Sequence, residues 1–312
     1  MKVLFWGTPL FALPALRALS DEGHDVVGVV TQPDRPAGRG RGVTMSPVKE
    51  EALAMGVPVL QPERARGDEF MSQVLALEPD LSVVVAYGQL LKPEVLALPR
   101  LGFSVNIHAS LLPGLRGAAP VQWAILRGLE NSGVTIMRME AGLDSGPMLL
   151  RVEEPIDPEE SGGELAARLA EVGAEALVET LAMMEAGQIA EEAQDHALAT
   201  YAPKLDRETA RLDWTRPASE VARWIRGLDD VPGAWSPLGA RGAVKLFRPR
   251  VEEGSGEPGL VLAADESGVL VAAGEGAVRV REAQPPGKRR MGAGEWVRGR
   301  GVAVGERFGV DG

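Results

Sequence analysis

The chain has 312 residues, a net charge of −11, three histidines and no cysteine. Its length predicts two domains, and a hydrophobic content of 45% with 25% charged residues is typical of a globular protein in water. The lack of cysteine excludes disulfides and thiolate metal sites, and three scattered histidines do not favour zinc, so no metal is expected.

The negative charge is concentrated in one segment. Residues 151–195 contain 13 acidic residues and two arginines, whereas residues 206–312 contain 17 basic and 16 acidic residues. Basic clusters outside the acidic segment can therefore bind nucleic acid locally, despite the overall charge. No apolar stretch is long enough to cross a bilayer and no export signal is found, so a cytoplasmic protein without membrane contact is expected.

Apolar periodicity predicts strands alternating with helices in the first part of the chain. The predicted strands are KVLFW, HDVVGVVTQ, VPVLQP, LSVVVAY, GFSVNIH, SGVTIMRM and PMLLRVEEPI. Helical spacing occurs in LFALPALRALS, VKEEALAMG, residues 66–77, KPEVLALP, APVQWAILRG and an amphipathic stretch at 161–187. This alternation predicts a Rossmann-like open, largely parallel α/β sheet over residues 1–189.

The pattern fades near residue 190, which predicts a linker at 190–206 and a second domain at 207–312. SEVARWIRGLDD has helical spacing. The apolar runs that follow it are short and separated by glycine: GAVKLFRPRV, GLVLAA, GVLVAAG and GAVRVREAQ. Such spacing predicts a small antiparallel barrel or sandwich.

The fifth predicted strand, GFSVNIH, ends in a polar pair. Asn106 and His108 are two residues apart, so on a strand their side chains project from the same face. The carboxyl ends of strands are where open α/β sheets bind ligands. A neutral amide donor beside an imidazole can stabilise an oxygen that becomes negative when a carbonyl is attacked.

Such a pair needs a third group that orients the imidazole or moves a proton. Asp144, in the turn GLDSG between two predicted strands, is the best candidate. No G-x-S-x-G motif and no cysteine is present, so an acyl-transfer nucleophile would have to come with the substrate. The alternative is structural: Asn106 caps a strand end and His108 is a half-buried side chain.

Two other sequence features are weaker indications of a binding site. The turn FWGTPLFA has one glycine where a dinucleotide fingerprint has three, which disfavours NAD. The loop RPAGRGRG carries Arg35, Arg39 and Arg41 without the ending of a phosphate-binding P-loop, and PPGKRRMG places a second basic cluster in the other domain. Both clusters are either simply solvated or engage phosphates and base edges.

Two long stretches resemble the folate-dependent formyltransferase family: SVNIHASLLPGLRGAAPVQWAI and GVTIMRMEAGLDSGPML. TQPDRPAGRGRGVTMSPVK and TYAPKLDRETARLDW are similar to the members that act on methionyl-tRNA. The resemblance covers nearly the whole chain and is strongest over residues 1–215. It implies transfer of the formyl group of 10-formyltetrahydrofolate to the amino group of methionine on initiator tRNA. The implied C-terminal domain is an OB-like barrel that binds tRNA, and the chain is expected to be a monomer.

The resemblance also assigns residues. Asn106, His108 and Asp144 would be catalytic. The folate would lie between two stretches, Ser110, Leu111, Leu112 and Pro113 on one side, and Tyr87, Gly88, Gln89 and Leu90 on the other. The tRNA would be contacted by Arg35, Arg39 and Arg41 in the inserted loop, and by Lys288, Arg289 and Arg290 in the second domain.

Three alternatives stay open. One is a formyltransferase of the same fold that acts on a small amine, although such an enzyme has no reason to carry the Arg-Gly loop and the C-terminal barrel. Another is a folate-dependent hydrolase in which water replaces the amine. The third is a non-catalytic tRNA-binding protein, which the intact Asn, His and Asp set disfavours.

Overall fold

The computed structural model describes residues 1–37 and 42–311. The chain divides into two compact units. The first consists of Met1–Pro120, Asn131–Pro155 and Ala166–Ala202, and the second of Val121–Glu130, Ile156–Leu165 and Pro203–Gly312. The division differs from the predicted domains in two ways. The segment predicted as a linker belongs to the first unit as far as Ala202, and two earlier pieces of chain belong to the second unit.

The described strands of the first unit are β1 (Lys2–Gly7), β2 (Asp25–Val30), β3 (Arg35–Ala37), β4 (Gly42–Thr44), β5 (Val59–Leu60), β6 (Leu81–Val85), β7 (Ser104–His108), β8 (Arg116–Gly117), β9 (Asn131–Arg138), β10 (Met148–Pro155) and β11 (Tyr201–Ala202). The helices numbered in the same order along the chain are α1 (Leu13–Asp21), α2 (Pro47–Ala54), α3 (Asp68–Ala76), α4 (Pro93–Leu96), α5 (Pro120–Leu126) and α6 (Gly162–Glu185). Single 3-10 turns lie at Leu10–Ala12 and His196–Leu198.

The main sheet of the first unit has seven strands in the order β10-β9-β7-β6-β1-β2-β5. The five strands from β7 to β5 run parallel, while β9 is antiparallel to both β7 and β10. All residues of β6 and β7 are buried, as expected for strands covered on both faces. The predicted open, largely parallel sheet is thus confirmed. In the loop predicted after β2, the short strands β3 and β4 pair antiparallel.

Packing on both faces of the main sheet fixes the central strands. On one side, the Trp6 ring meets Phe70 and Tyr87 edge to face, with ring centroids 5.8 and 5.2 Å away. On the other, Gly173 of α6 lies so close to β7 that a Cβ there would be 2.9 Å from the Ile107 side chain. Because residues alternate along a strand, Ile107 faces α6 while Asn106 and His108 project from the opposite face.

The second unit contains α5 from Val121 onwards together with a mainly antiparallel sheet and two more helices. Its strands are β12 (Trp235–Gly239), β13 (Ala243–Glu252), β14 (Val261–Asp265), β15 (Gly268–Ala272), β16 (Ala277–Gln284), β17 (Met291–Gly292) and β18 (Val310–Asp311). The helices are α7 (Ala218–Gly227) and α8 (Ala293–Arg298). The strand order is β14-β15-β16-β13-β12-β18, and β17 pairs with β16.

The last residues of the chain connect both edges of this sheet. β18 pairs with β12, while backbone groups of residues 305–308 hydrogen-bond with Gly259 and Val261 at the start of β14. The sheet is a mainly antiparallel half-barrel, which agrees with the first of the two architectures, barrel or sandwich, predicted for this part of the chain. In the described ranges, no helix is both long and apolar enough to span a membrane.

A capping box begins α6. The Ser161 hydroxyl accepts a hydrogen bond from the Glu164 amide, and the Glu164 carboxylate accepts bonds from the amide and hydroxyl of Ser161. Arg248 also pairs with this carboxylate at 3.0 Å. The Ser161 bonds, followed by Arg248, lower the pKa of Glu164 to about 2.

Acid should therefore weaken the fold partly through Glu164. Its folded pKa of about 2 lies below the unfolded value, roughly 4.3, so its stabilising effect is complete above that value and is lost as the pH falls toward 2. Glu164→Gln is expected to lower the urea midpoint at pH 7, and the difference from wild type should shrink between pH 5 and pH 3. Glu69→Gln, at an exposed position of α3, is the control. A difference that stays constant with pH would contradict this role of the carboxylate.

Candidate active site

Strand β7 delivers the two polar side chains to the carboxyl edge of the sheet. Asn106 is 9% exposed and His108 is 6% exposed, so both lie in a largely water-free setting. Within the described residues, no protein group hydrogen-bonds the side-chain amide of Asn106. This amide is therefore available to donate a hydrogen bond to a bound molecule.

Both ring nitrogens of His108 face acceptors. Nε2 lies 3.0 Å from the carbonyl oxygen of Leu115, and Nδ1 lies 3.7 Å from Oδ2 of Asp144. A carbonyl oxygen only accepts, so Nε2 is the nitrogen that carries the proton in the neutral ring. Nδ1 then faces the carboxylate, and a second proton placed there would make a charge pair with Asp144.

Asp144 reaches the site from the loop between β9 and β10. Its φ is +48°, in the left-handed region that aspartate tolerates better than most residues. The Gly117 amide donates a hydrogen bond of 2.8 Å to Oδ2, the same oxygen that faces His108. The carboxylate is thus held by a backbone donor while it faces the imidazole.

Only glycine fits at position 117. Its φ is +121°, and a Cβ would lie 2.7 Å from the carbonyl oxygen of Ala202 in β11. A side chain here would separate β8 from β11 or rotate the amide that binds Asp144. The glycine of the LRGAAP stretch therefore contributes to the geometry of the site through its backbone.

The first predicted folate stretch is mostly tied to the protein. The Ser110 hydroxyl donates to the Gly114 carbonyl at 2.6 Å, and Thr135 joins the Ser110 carbonyl and the Leu112 amide through its hydroxyl. The Leu112 side chain packs with two buried methionines of β9 and β10. Leu111 and Pro113 are half-buried, so they are the residues of this stretch that could face a ligand.

The second predicted folate stretch also contains both residues tied to the protein and residues accessible to a ligand. Tyr87 is 2% exposed, packs on Trp6 and has no hydrogen-bond partner for its hydroxyl, and burial raises its pKa to about 12. Its side chain is therefore a core residue and not a wall, contrary to the prediction. Gln89 donates to the Glu63 carbonyl at 3.1 Å. Gly88 and Leu90 are exposed.

The predicted basic residues have different surroundings. Arg35 is exposed at the start of β3, while Arg39 and Arg41 lie outside the described residues. In the second unit, Lys288 is exposed and Arg289 is highly exposed, with Glu295 at 4.0 Å.

Arg290 differs from its neighbours. Its guanidinium binds the carboxylates of Asp229, Asp230 and Glu282, and lies 4.0 Å from the ring centroid of Phe247. A guanidinium that pairs with three carboxylates has little capacity left for phosphate. Arg290 is therefore a structural residue of this unit, which corrects its assignment to tRNA contact.

Sequence reasoning missed the backbone groups of the site. The Leu115 carbonyl and the Gly117 amide hold His108 and Asp144, yet neither has a side-chain signal. The sequence offered one indication of them: Leu115 and Gly117, in the segment LRG, directly follow the NIHASLLPG stretch that carries Asn106 and His108. No group of three or more histidine, aspartate or glutamate side chains that could hold a metal was found in residues 1–37 and 42–311.

Comparison with known proteins gives consistent matches. A family model described as formyl transferase matches residues 1–181, and a model of the formyl transferase C-terminal domain matches residues 204–301. A relative from Symbiobacterium thermophilum, described as methionyl-tRNA formyltransferase, is 51% identical over 99% of this chain and 95% of its own length.

Two solved structures share the fold at low sequence identity. HypX from Aquifex aeolicus, in complex with tetrahydrofolic acid, has a TM-score of 0.67 at 20% identity over 95% of this chain. The match covers 47% of HypX, so this chain spans about half its length. WlaRD, a sugar 3N-formyl transferase, has a TM-score of 0.67 at 17% identity and covers 93% of this chain and 99% of WlaRD.

Proposed function

The chain belongs to the formyl transferase family, and on this premise we propose that it transfers the formyl group of 10-formyltetrahydrofolate to the amino group of methionyl initiator tRNA. The observation that carries the proposal is the arrangement of Asn106, His108 and Asp144 at the carboxyl edge of the sheet. The product is N-formylmethionyl-tRNA, which is used to initiate translation. Because initiator tRNA is charged and used in the cytoplasm, we place the reaction there, and we infer that the chain acts as a monomer.

The chemistry needs no nucleophile from the protein. The amine of the methionyl ester attacks the formyl carbon, and the carbonyl oxygen becomes negative. Asn106, whose amide has no partner among the described residues, donates a hydrogen bond to this oxygen. The bond between the formyl carbon and the folate nitrogen then breaks, and the proton lost by the amine goes to that nitrogen. A donor in such a position typically lowers the barrier by about 3 kcal/mol.

His108 contributes by charge in this arrangement. Both of its nitrogens face protein acceptors, the Leu115 carbonyl and the Asp144 carboxylate, so the ring is not free to bond the oxygen directly. As an imidazolium, the ring would place positive charge close to the developing negative charge, with the Asp144 carboxylate facing Nδ1. Asp144 orients the ring and, through water, passes the proton lost by the amine to the folate nitrogen.

We place the folate between the accessible parts of the two predicted stretches. The members that are not fully buried are Leu111 and Pro113 on one side and Gly88, Gln89 and Leu90 on the other. The apolar side chains of Leu111, Pro113 and Leu90 suit the flat faces of a pterin. Ser110, Leu112 and Tyr87 support this site from within the protein.

The direct test is incubation of the purified chain with formyl-labelled 10-formyltetrahydrofolate and methionyl initiator tRNA. Label should appear in formylmethionine after the ester is hydrolysed. Release of labelled formate without an acceptor would instead indicate a hydrolase. Transfer only to an amino sugar or a glycinamide nucleotide would indicate a small-amine transferase, and no turnover with any acceptor would indicate a non-catalytic protein.

The inserted loop is proposed to contact the acceptor end of the tRNA through Arg35, Arg39 and Arg41. Arg39→Ala and Arg41→Ala are expected to raise the KM for tRNA by fivefold or more, because removing an arginine bound to a phosphate or base costs about 1–3 kcal/mol. The KM for the folate should not change. Arg17→Ala, which removes an exposed arginine paired with Glu51 on α2, is the control. An unchanged KM for tRNA in both loop variants would refute this role.

Lys288 and Arg289 are proposed to contact tRNA phosphates from the second unit. Phosphate contacts release counterions, so binding of tRNA should weaken steeply as salt rises. The variant with alanine at both positions should show a shallower slope of log Kd against log salt, by about one for each phosphate that is no longer neutralised. Filter binding between 50 and 300 mM KCl measures both slopes. Equal slopes would argue against phosphate contacts by Lys288 and Arg289.

A further inference from the structure

The segment 192–202, which the sequence predicted to be part of a linker, packs against the loops that hold the active site. Its first residue exchanges backbone hydrogen bonds with Met148, and Tyr201 and Ala202 pair with Arg116 and Gly117 as β11 and β8. All of these residues belong to the first unit. Two side chains of this segment, Gln194 and Thr200, bond directly to the groups that hold Asp144 and His108.

Gln194 supports the Asp144 loop. It is buried, and its Nε2 donates to the carbonyl oxygens of Asp144 at 2.9 Å and Gly146 at 2.7 Å. Its Oε1 accepts two bonds from the buried guanidinium of Arg116, at 3.1 and 2.6 Å. The whole amide is therefore used, and it connects the loop after β9 to β8, the strand that contains Gly117.

Thr200 supports the residue that binds His108. Its hydroxyl accepts a hydrogen bond of 2.9 Å from the Leu115 amide, and its carbonyl accepts one of 2.8 Å from the Arg116 amide. The Leu115 carbonyl in turn bonds Nε2 of His108. Thr200 therefore acts on His108 through one intervening residue, Leu115.

The two supported residues have unfavourable backbone conformations. Asp144 has a φ of +48° and Leu115 a φ of +58°, both in the left-handed region. For a leucine this conformation is an outlier that persists only when surrounding contacts enforce it. Gln194 supplies such a contact to Asp144, and Thr200 supplies one to Leu115.

We propose that Gln194 and Thr200 are positioning residues that hold Asp144 and the Leu115 carbonyl in the arrangement needed for His108 to work. They touch no substrate and act only through those groups. The inference rests on the proposed formyl transfer. Its consequence is a defect in kcat without a defect in substrate binding, because only the alignment of reacting groups is lost.

Gln194→Glu separates positioning from folding. A glutamate keeps the shape and pairs with Arg116, so the buried guanidinium stays bound, but it has no N–H to donate to the carbonyls of Asp144 and Gly146. We expect kcat to fall at least tenfold, with the KM values for folate and tRNA within twofold of wild type. Gln188→Glu makes the same charge change at an exposed position near the same segment and should leave kcat unchanged.

Thr200 gives an independent pair of variants. Thr200→Val removes the acceptor for the Leu115 amide at constant volume and should lower kcat about fivefold. Thr200→Ser retains the hydroxyl and should return kcat to within twofold of wild type. Thr180→Val, which removes a buried hydroxyl bonded to the Ala176 carbonyl inside α6, is the matched control for removal of a hydroxyl elsewhere in the unit.

The outcomes are distinct. Gln194→Glu and Thr200→Val with wild-type kcat would overturn the positioning role while leaving the proposed function intact. A rise in KM with unchanged kcat would also overturn it, because it would mean a binding role. A wild-type chain that does not formylate methionyl-tRNA would refute the proposed function itself. If Gln194→Glu did not fold, the comparison of Thr200→Val with Thr200→Ser would decide.

Discussion

Asn106→Ala is expected to lower kcat for formyl transfer on the order of a hundredfold, with little change in the KM for either substrate. The amide has no hydrogen-bond partner among the described residues, so its removal breaks no hydrogen bond there and leaves the oxygen of the reacting carbonyl without a donor. An interaction made mainly in the transition state affects kcat more than KM. Single-turnover kinetics with saturating folate and methionyl-tRNA measure the change.

The chain offers a matched control for this variant. Asn131, at the exposed start of β9, is its only other asparagine, and Asn131→Ala should leave kcat unchanged. Asn106→Asp sharpens the test, since it has nearly the same shape but places negative charge where the oxyanion develops. It should be at least as inactive as the alanine variant. Activity of Asn106→Ala within threefold of wild type would refute the oxyanion role.

Asp144→Asn is expected to lower kcat at least a hundredfold, by analogy with serine-protease triads that keep their geometry but lose the carboxylate. The remaining amide oxygen can still accept the bond from Gly117, so the loop should stay in place. This oxygen is also the atom that faces Nδ1 of His108, and in asparagine it no longer carries the negative charge of a carboxylate. An imidazolium at His108 would therefore lose its charge partner, and the proposed stabilisation of the reacting carbonyl would be weakened.

Kinetics and folding must be measured together for this variant. The KM values and the unfolding midpoint of Asp144→Asn should stay close to those of the wild type, because the shape of the loop is retained. Asp21→Asn, at the exposed end of α1, controls for the loss of one carboxylate. A variant that keeps more than a tenth of wild-type kcat would exclude an essential role for the charge of Asp144.

The sequence was sufficient for the parts of the site that follow from periodicity. Asn106 and His108 lie on one face because strand residues alternate, and the apolar run before them predicts a buried strand. Asp144 could be proposed because a turn between two strands returns the chain to the same edge. The structure places its carboxylate 3.7 Å from the His108 ring.

Other features have no local signature. Gln194 binds the Asp144 carbonyl from 50 residues further along the chain, and a contact at such a separation leaves no periodic pattern. The segment around it reads as a linker because it is held by single side chains and backbone bonds, not by an apolar face. Likewise, the sequence of the basic cluster Lys288–Arg290 does not show that the Arg290 guanidinium already pairs with carboxylates. Tyr87 ends the predicted strand LSVVVAY and is assigned to the folate wall, yet its ring is buried in the core.

The antiparallel pairing of β9 with β7 and β10 has a consequence for how activity appears during refolding. The strand that carries Asn106 and His108 forms contacts with its parallel neighbour β6, but Asp144 arrives only when the hairpin of β9 and β10 has joined the sheet. A chain that has formed the parallel strands alone would be compact and still inert. Recovery of turnover therefore requires that β9 and β10 have paired with β7. During refolding, activity should return later than the far-UV circular dichroism signal of the helices.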